Sequence, residues 1–155
     1  MTTPGIAFAH PTSWHSFPEP LGVLPGPRWV VDVLTSGSQN PCSVTTDPDG
    51  SGSAGCPWRL EHDGVEVMWL LQAQPLSMPA TTTVIAGRAA VRTSGPATGE
   101  CRGAGGSRQV EVVLGGTRNR RDRVALTVQA CLAGSGATVA ESQVNAMLST
   151  LVPWS

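Results

Sequence analysis

Val110-Glu-Val-Val-Leu114 and Val124-Ala-Leu-Thr-Val-Gln-Ala130, joined by Gly115 to Asp122, are the stretch that decides the fold. Val110, Val112 and Leu114 alternate along the first run, and Val124, Leu126, Val128 and Ala130 along the second. A period of two places every second side chain on one face of a strand, so the stretch reads as a long-tipped β-hairpin. Downstream, Thr138-Val-Ala-Glu141 has the pattern of a capping box. Ala140, Val144, Met147, Leu148 and Leu151 then recur at helical spacing, predicting an amphipathic helix that stops at Pro153. A single such helix must bury its stripe against the sheet, which gives an α+β class with an antiparallel sheet.

Working toward the N-terminus, Thr81 to Val91 is β-prone and split by Gly87. Val65, Val67, Trp69 and Leu71 alternate behind the turn Asp63-Gly64. Arg28 to Leu34 is β-rich and too short for a helix. Prolines 18, 20, 25 and 27 keep Phe17 to Pro27 extended or turning. Gly5 to His10 reads as a short apolar strand that turns out through Pro11 to Trp14.

The 155 residues fit one domain, 1–155, with 40% hydrophobic and 14% charged residues. No apolar run of about 18 residues exists, so no transmembrane segment is expected. All ten basic residues are Arg and Tyr is absent, a pattern that reads as coding bias. Residues 1–80 hold two Arg against seven acids, a balance of −5; residues 81–155 hold eight Arg against four acids, a balance of +4. Such a split suggests a bipolar surface.

Four cysteines, Cys42, Cys56, Cys101 and Cys131, allow three pairings. No two are closer than fourteen positions, which disfavours a zinc knuckle and a Cys-x-x-Cys redox motif. Local pairing is the economical choice: Cys42 with Cys56 around a Gly/Ser/Asp-rich excursion, and Cys101 with Cys131 on neighbouring strands flanking the hairpin. Met1 to Gly5 lacks the basic and apolar regions of a signal peptide. A mature ectodomain carrying an added starting Met and a cytosolic protein therefore compete, and the cysteines favour the extracytoplasmic, secreted or anchored, form.

Gly5 to Trp14 resembles the opening hairpin of Mog1/PsbP-like domains, with its F-x-x-P-x-x-W pattern. Ala140 to Leu151 is similar to their closing helix, and Ile85 to Arg92 to a V-x-G-x-x-A-x-R strand of actinobacterial members. The two cysteine pairs resemble those of actinobacterial secreted proteins, lipoproteins and membrane-anchored ectodomains. The resemblance implies an N-terminal hairpin, an antiparallel sheet and a C-terminal helix packed on it. It also implies an accessory or binding role without chemistry, and it carries over no catalytic residues. The Pro-rich stretch Phe17 to Pro27 departs from plain members, which puts a helix there in doubt.

No catalytic signature is present. Gly50 to Gly55 does not fit Gly-x-Ser-x-Gly, and Gly103 to Arg108 fails a Gly-x-Gly-x-x-Gly loop at its last position. His10, His15 and His62 lack the spacing of a helical metal pair, and Asp47 to Ser53 lacks the bidentate Glu of a calcium loop, so neither metal nor cofactor is expected. The dense charged feature is Thr117 to Arg123, where Arg118, Arg120, Arg121 and Arg123 sit on the expected hairpin tip. Such a tip suits an acidic protein partner or an anionic cell-envelope component; as a bare solvated tip it would only protect strand edges. Nucleic acid is not expected, because no aromatic residues interleave with the Arg. Of the five Trp, Trp29 and Trp69 read as core, while Trp58 and Trp154 read as exposed. These features favour a non-catalytic extracytoplasmic binding domain. The alternatives are a carrier of a small apolar ligand between sheet and helix, and a cytosolic accessory protein with free thiols.

Overall fold

The computed structural model describes residues 6–24, 28–37, 43–46, 48–49, 52–55, 60–73, 83–114 and 124–152. Nine strands and two helices are described: β1 His15–Leu24, β2 Arg28–Thr35, β3 Ser43–Thr46, β4 Gly52–Gly55, β5 Val65–Ala73, β6 Thr83–Ile85, β7 Arg88–Pro96, α1 Gly99–Gly103, β8 Arg108–Leu114, β9 Val124–Leu132 and α2 Ala137–Ser149. Seven strands form one antiparallel sheet in the order β1-β2-β5-β9-β8-β7-β6, and β3 pairs with β4 in a separate ribbon.

The β8–β9 hairpin lies inside the sheet, with Val112 opposite Val128 and Leu114 opposite Leu126. Its alternating residues, together with Val65, Val67, Trp69 and Leu34, form one buried face. Ala137, Ala140, Val144, Met147 and Leu148 of α2 bury against that face, and Leu151 follows just beyond the helix. Burying a Leu, Met or Val in this way contributes roughly 1.5–3 kcal/mol each. The α+β class, the antiparallel sheet and the packed C-terminal helix are present; the hairpin expected over Gly5 to Trp14 is absent among the described residues, and the first two paired strands are β1 and β2 beyond it.

β1 is an edge strand, where Pro18 and Pro20 are tolerated, and its register slips after Pro18 and again after Leu21. At the opposite edge, β6 and β7 turn through Ala86 (φ 52°) and Gly87 (φ 73°). Two successive positive φ angles are those of a two-residue hairpin turn with the native twist. This explains why Gly87 splits the β-prone run.

Four expectations are corrected. Gly5 to His10 is not a strand: within residues 6–10 only Ala7 makes a bridge, to Val152, because Ile6 and Phe8 turn their side chains onto the core instead of joining the sheet. The Thr138–Glu141 capping box does not form, because α2 starts two residues earlier with Gly136 as its N-cap. Its cap comes from Asp63 in the turn before β5, whose Oδ1 accepts from the Gly136 N–H at 3.2 Å and the Ser135 hydroxyl at 3.3 Å. The helix stops at Ser149, not at Pro153: Thr150 ends it, donating its hydroxyl to the Met147 carbonyl at 2.7 Å while accepting from the Ala9 N–H at 2.8 Å. Finally, Cys101 lies on the short helix α1 and not on a strand, yet it reaches Cys131 on β9 with a Cα–Cα distance of 5.5 Å, at disulfide-bonding distance.

Candidate functional site

Alternation gives the sheet a second face, carrying Thr93 on β7, Gln109 and Glu111 on β8, Gln129 and Cys131 on β9, and Glu66 and Met68 on β5. Toward β5 this face is buried; toward β7 it is open, with Gln109, Glu111 and Gln129 half-buried and Thr93 exposed. Helix α1 crosses the end of the open part. Cys101 ties it down to Cys131, the Gly106 N–H donates to the Cys101 carbonyl at 2.8 Å, and the Leu60 N–H donates to the Ala104 carbonyl at 2.9 Å. Gly106 is required there, since a Cβ would stand 2.5 Å from both sulfurs.

Between α1 and the strands lies a groove of about 220 Å³. Its floor is Gln109, Glu111 and Gln129, and its wall runs from Thr98 to Cys101. Glu111 stands directly opposite Gln129 across β8–β9, and opposite Thr93 across β7–β8. The Gln109 side-chain carbonyl accepts from the Thr98 N–H at 2.9 Å and from its hydroxyl at 3.3 Å, locking wall to floor. Neither Glu111 nor Gln129 makes a side-chain hydrogen bond or ion pair among the described residues. Among the described residues no basic side chain lines the groove. The surface therefore offers carboxylate and carboxamide groups held on a rigid sheet, suited to recognition.

Behind the groove the same face holds a charge problem. Glu66, 2% exposed and opposite Cys131 on β9, has an Oε1 with no hydrogen-bond partner. Burial alone pushes its carboxyl up to about 8. Thr127 on β9 likewise buries an unpartnered hydroxyl.

On the helix-covered face the carboxylates are paired. Glu141 of α2 accepts from Arg92 at 2.8 Å, from the Ser94 hydroxyl at 2.6 Å, and from Arg108 Nε. These contacts, Arg108 first, hold its carboxyl down at about 2. Asp32 is also buried here, and both its oxygens accept from the Ser16 hydroxyl at 3.0 Å. Burial raises its pKa against that bond. It opposes Trp69, whose ring stacks on Phe8 at 4.5 Å and whose indole N–H has no partner.

Arg118, Arg120, Arg121 and Arg123 belong to the β8–β9 connection and, like Cys42 and Cys56, lie outside the described residues. Ser43 and Gly55, which flank those two cysteines in sequence, are register partners in the ribbon. The three histidines do not converge: His10 bonds the Pro11 carbonyl at 2.9 Å, His15 is exposed on β1, and His62 pairs with Asp63 at 3.1 Å. Among the described residues no three metal-ligating side chains come together, and no helix is long and apolar enough to cross a membrane. Trp14 and Trp69 are core residues; Trp58 and Trp154 lie outside the described residues, as does the side chain of Trp29. The sequence reading missed the groove, although its signal is present: Gln109, Glu111 and Gln129 are the polar residues interleaved with the apolar alternation that defined the hairpin. Comparison with protein-family models, with curated proteins and with solved structures gives no match.

Proposed function

We propose that this chain is a non-catalytic, extracytoplasmic binding or accessory domain that contacts a protein or cell-envelope partner through the groove beside α1. The observation carrying this reading is the pair Glu111 and Gln129: adjacent polar side chains on one sheet, without partners among the described residues, in a groove walled by a disulfide-tethered helix. A surface of this kind is pre-organised for hydrogen-bonded recognition, which lowers the ordering cost of binding. The interval between α2 and the sheet is filled by Val144, Met147 and Leu148, which favours surface recognition over carriage of an apolar ligand. The antiparallel sheet and closing helix support a Mog1/PsbP-like assignment, the absence of the expected Gly5–Trp14 hairpin speaks against it, and the Cys101–Cys131 pair supports an oxidising compartment.

The test is site-specific photocrosslinking. A crosslinker at position 129 is expected to give a saturable adduct in cell-envelope extracts, competed by excess wild-type chain but not by Glu111→Arg. A crosslinker at exposed Val139 on α2 serves as the control. Equal labelling from both positions, or competition that ignores Glu111→Arg, sinks the reading. For the compartment, mass spectrometry of the non-reduced chain is expected to count no free thiols; four would return the cytosolic alternative.

A further inference from the structure

We infer that Cys101–Cys131 is an exchangeable pair and not a fixed staple: a dithiol reductant opens it from the groove, and Glu66 carries the proton. This goes beyond the binding reading and does not depend on what occupies the groove. Both cysteines are among the residues that line the groove, so the bond borders open space. Cys101 is the more accessible of the two, 8% exposed against 1% for Cys131. The helix that carries it is five residues long and has Cys101 as its only buried side chain. Gly99 (φ 51°) begins that helix and Gly105 (φ 94°) follows it. So short an element, with so little buried, opens locally at small cost and bares the sulfur further. Glu66 is the direct register partner of Cys131. On antiparallel strands such partners share one face, with Cβ atoms about 5 Å apart. The Glu66 Oε1 is a buried acceptor without a donor. The disulfide cannot supply one, because neither sulfur carries a hydrogen, whereas a Cys131 thiol can. Reduction therefore satisfies an atom that the disulfide state leaves orphaned.

In the first step a thiolate of the reductant attacks Cys101 Sγ; the S–S bond breaks and its electron pair leaves on Cys131. The Cys131 thiolate takes the carboxyl proton of Glu66, which burial keeps protonated at neutral pH. The new S–H then donates to the Glu66 carboxylate. The second thiolate of the reductant attacks its own sulfur in the mixed disulfide, and Cys101 leaves and takes a proton from water. Two electrons pass from the dithiol to the pair. The two protons the dithiol sheds balance those gained by Cys101 and, through Glu66, by Cys131. Because S–H donation favours the carboxylate, Glu66 holds its proton less tightly in the dithiol state, so that state gains as pH rises. Around Glu66, β2 contributes Thr35 and β9 Cys131. The charged groups on the neighbouring elements are Glu61, the His62–Asp63 pair in the turn before β5, and Glu100 and Arg102 on α1. None of them partners Oε1, and Arg108 on β8 is committed to Glu141.

The test equilibrates the folded chain with mixtures of reduced and oxidised dithiothreitol between about pH 6 and about pH 8, the interval over which Glu66 titrates. Differential alkylation with peptide mass spectrometry reads Cys101 and Cys131 apart from Cys42 and Cys56. The wild-type pair is expected to open without unfolding, as circular dichroism of the same samples shows. Its exchange constant is expected to rise about tenfold more over this interval than that of Glu66→Gln. Glu66→Gln is also expected to slow reduction at pH 7, because the leaving sulfur loses its proton donor. An infrared difference spectrum of the wild-type chain at pH 7 keeps the test valid where that variant does not fold: the protonated-carboxyl band is expected to weaken on reduction. Opening that occurs only in unfolding concentrations of urea, equal pH slopes for wild type and Glu66→Gln, or an unchanged carboxyl band overturns the inference. The photocrosslinking outcome at position 129 is independent of all three, so the binding reading stands or falls separately.

Discussion

Glu141 and Glu66 are two mostly buried glutamates on opposite faces of one sheet, and they sit in contrasting surroundings. Glu141 rides on α2 above the edge formed by β7 and β8, where two Arg and a Ser converge on it. Glu66 projects from β5 into the other face with nothing to meet its Oε1. The first carboxyl is held at about 2 and the second pushed up to about 8. The difference shows how unevenly the two faces are finished. On the helix side polar groups serve as fasteners between elements. On the groove side Gln109 is fastened to Thr98, but among the described residues Glu111 and Gln129 at the surface and Glu66 and Thr127 in the buried part carry polar atoms without partners.

Because the folded pKa of Glu66 lies above its unfolded value, the unfolded chain loses the proton first as pH rises. Stability should therefore fall between about pH 4.5 and 8 and level off above. Over that interval the loss is roughly 3–5 kcal/mol, and Glu66→Gln should flatten it; urea unfolding at several pH values checks this. An unchanged slope would mean that Glu66 has a cation or water at hand and that the two faces differ less than described. Next in size is the Cys101–Cys131 pair, whose closure of a 30-residue separation should be worth about 3.6 kcal/mol in the chain-entropy model. Replacing both by Ser should lower the thermal midpoint and, in the photocrosslinking assay, weaken labelling from position 129, since α1 loses its tether.

Glu141 has the opposite sign. Its folded pKa is depressed, so its contribution is present above about pH 4.5 and is lost as pH falls toward 2. Glu141→Gln should cost about 2 kcal/mol at neutral pH, a figure reduced for the water that reaches the two Arg, and little at pH 2. The smallest effect belongs to the distant helix cap. Asp63→Ala should lower the melting temperature less than Glu141→Gln does, and amide exchange should show added fraying confined to the first turn of α2. Loss of protection along the whole helix would instead make Asp63 an anchor equal to Glu141.

What the chain reveals before folding follows from the range of each interaction. Alternation at Val110, Val112 and Leu114 and the stripe from Ala140 to Leu148 are local patterns, and they correctly place the central hairpin and the closing helix. Prolines 18 and 20 are likewise readable as extended backbone. The helix cap is not, because Asp63 lies 73 residues from the N–H it accepts, while the nearby Thr138 and Glu141 imitate a local cap. Glu141 finds partners 33 and 49 residues away, set by sheet order and not by spacing. Helix α1, at five residues, is too short to show a helical period, so the reach of Cys101 to Cys131 was legible as a pairing but not as a tethered wall. The groove needed the second face of β8 and β9 to be seen as a surface.

The prolines of the first strand have a consequence for how copies of this chain can meet. Pro18 and Pro20 remove two backbone donors from one end of the seven-stranded sheet, and at the other end β6 is only three residues long. Neither end makes a good template on which another strand could grow. Crowded molecules are thereby given little backbone at either end on which open-ended cross-strand aggregation could grow.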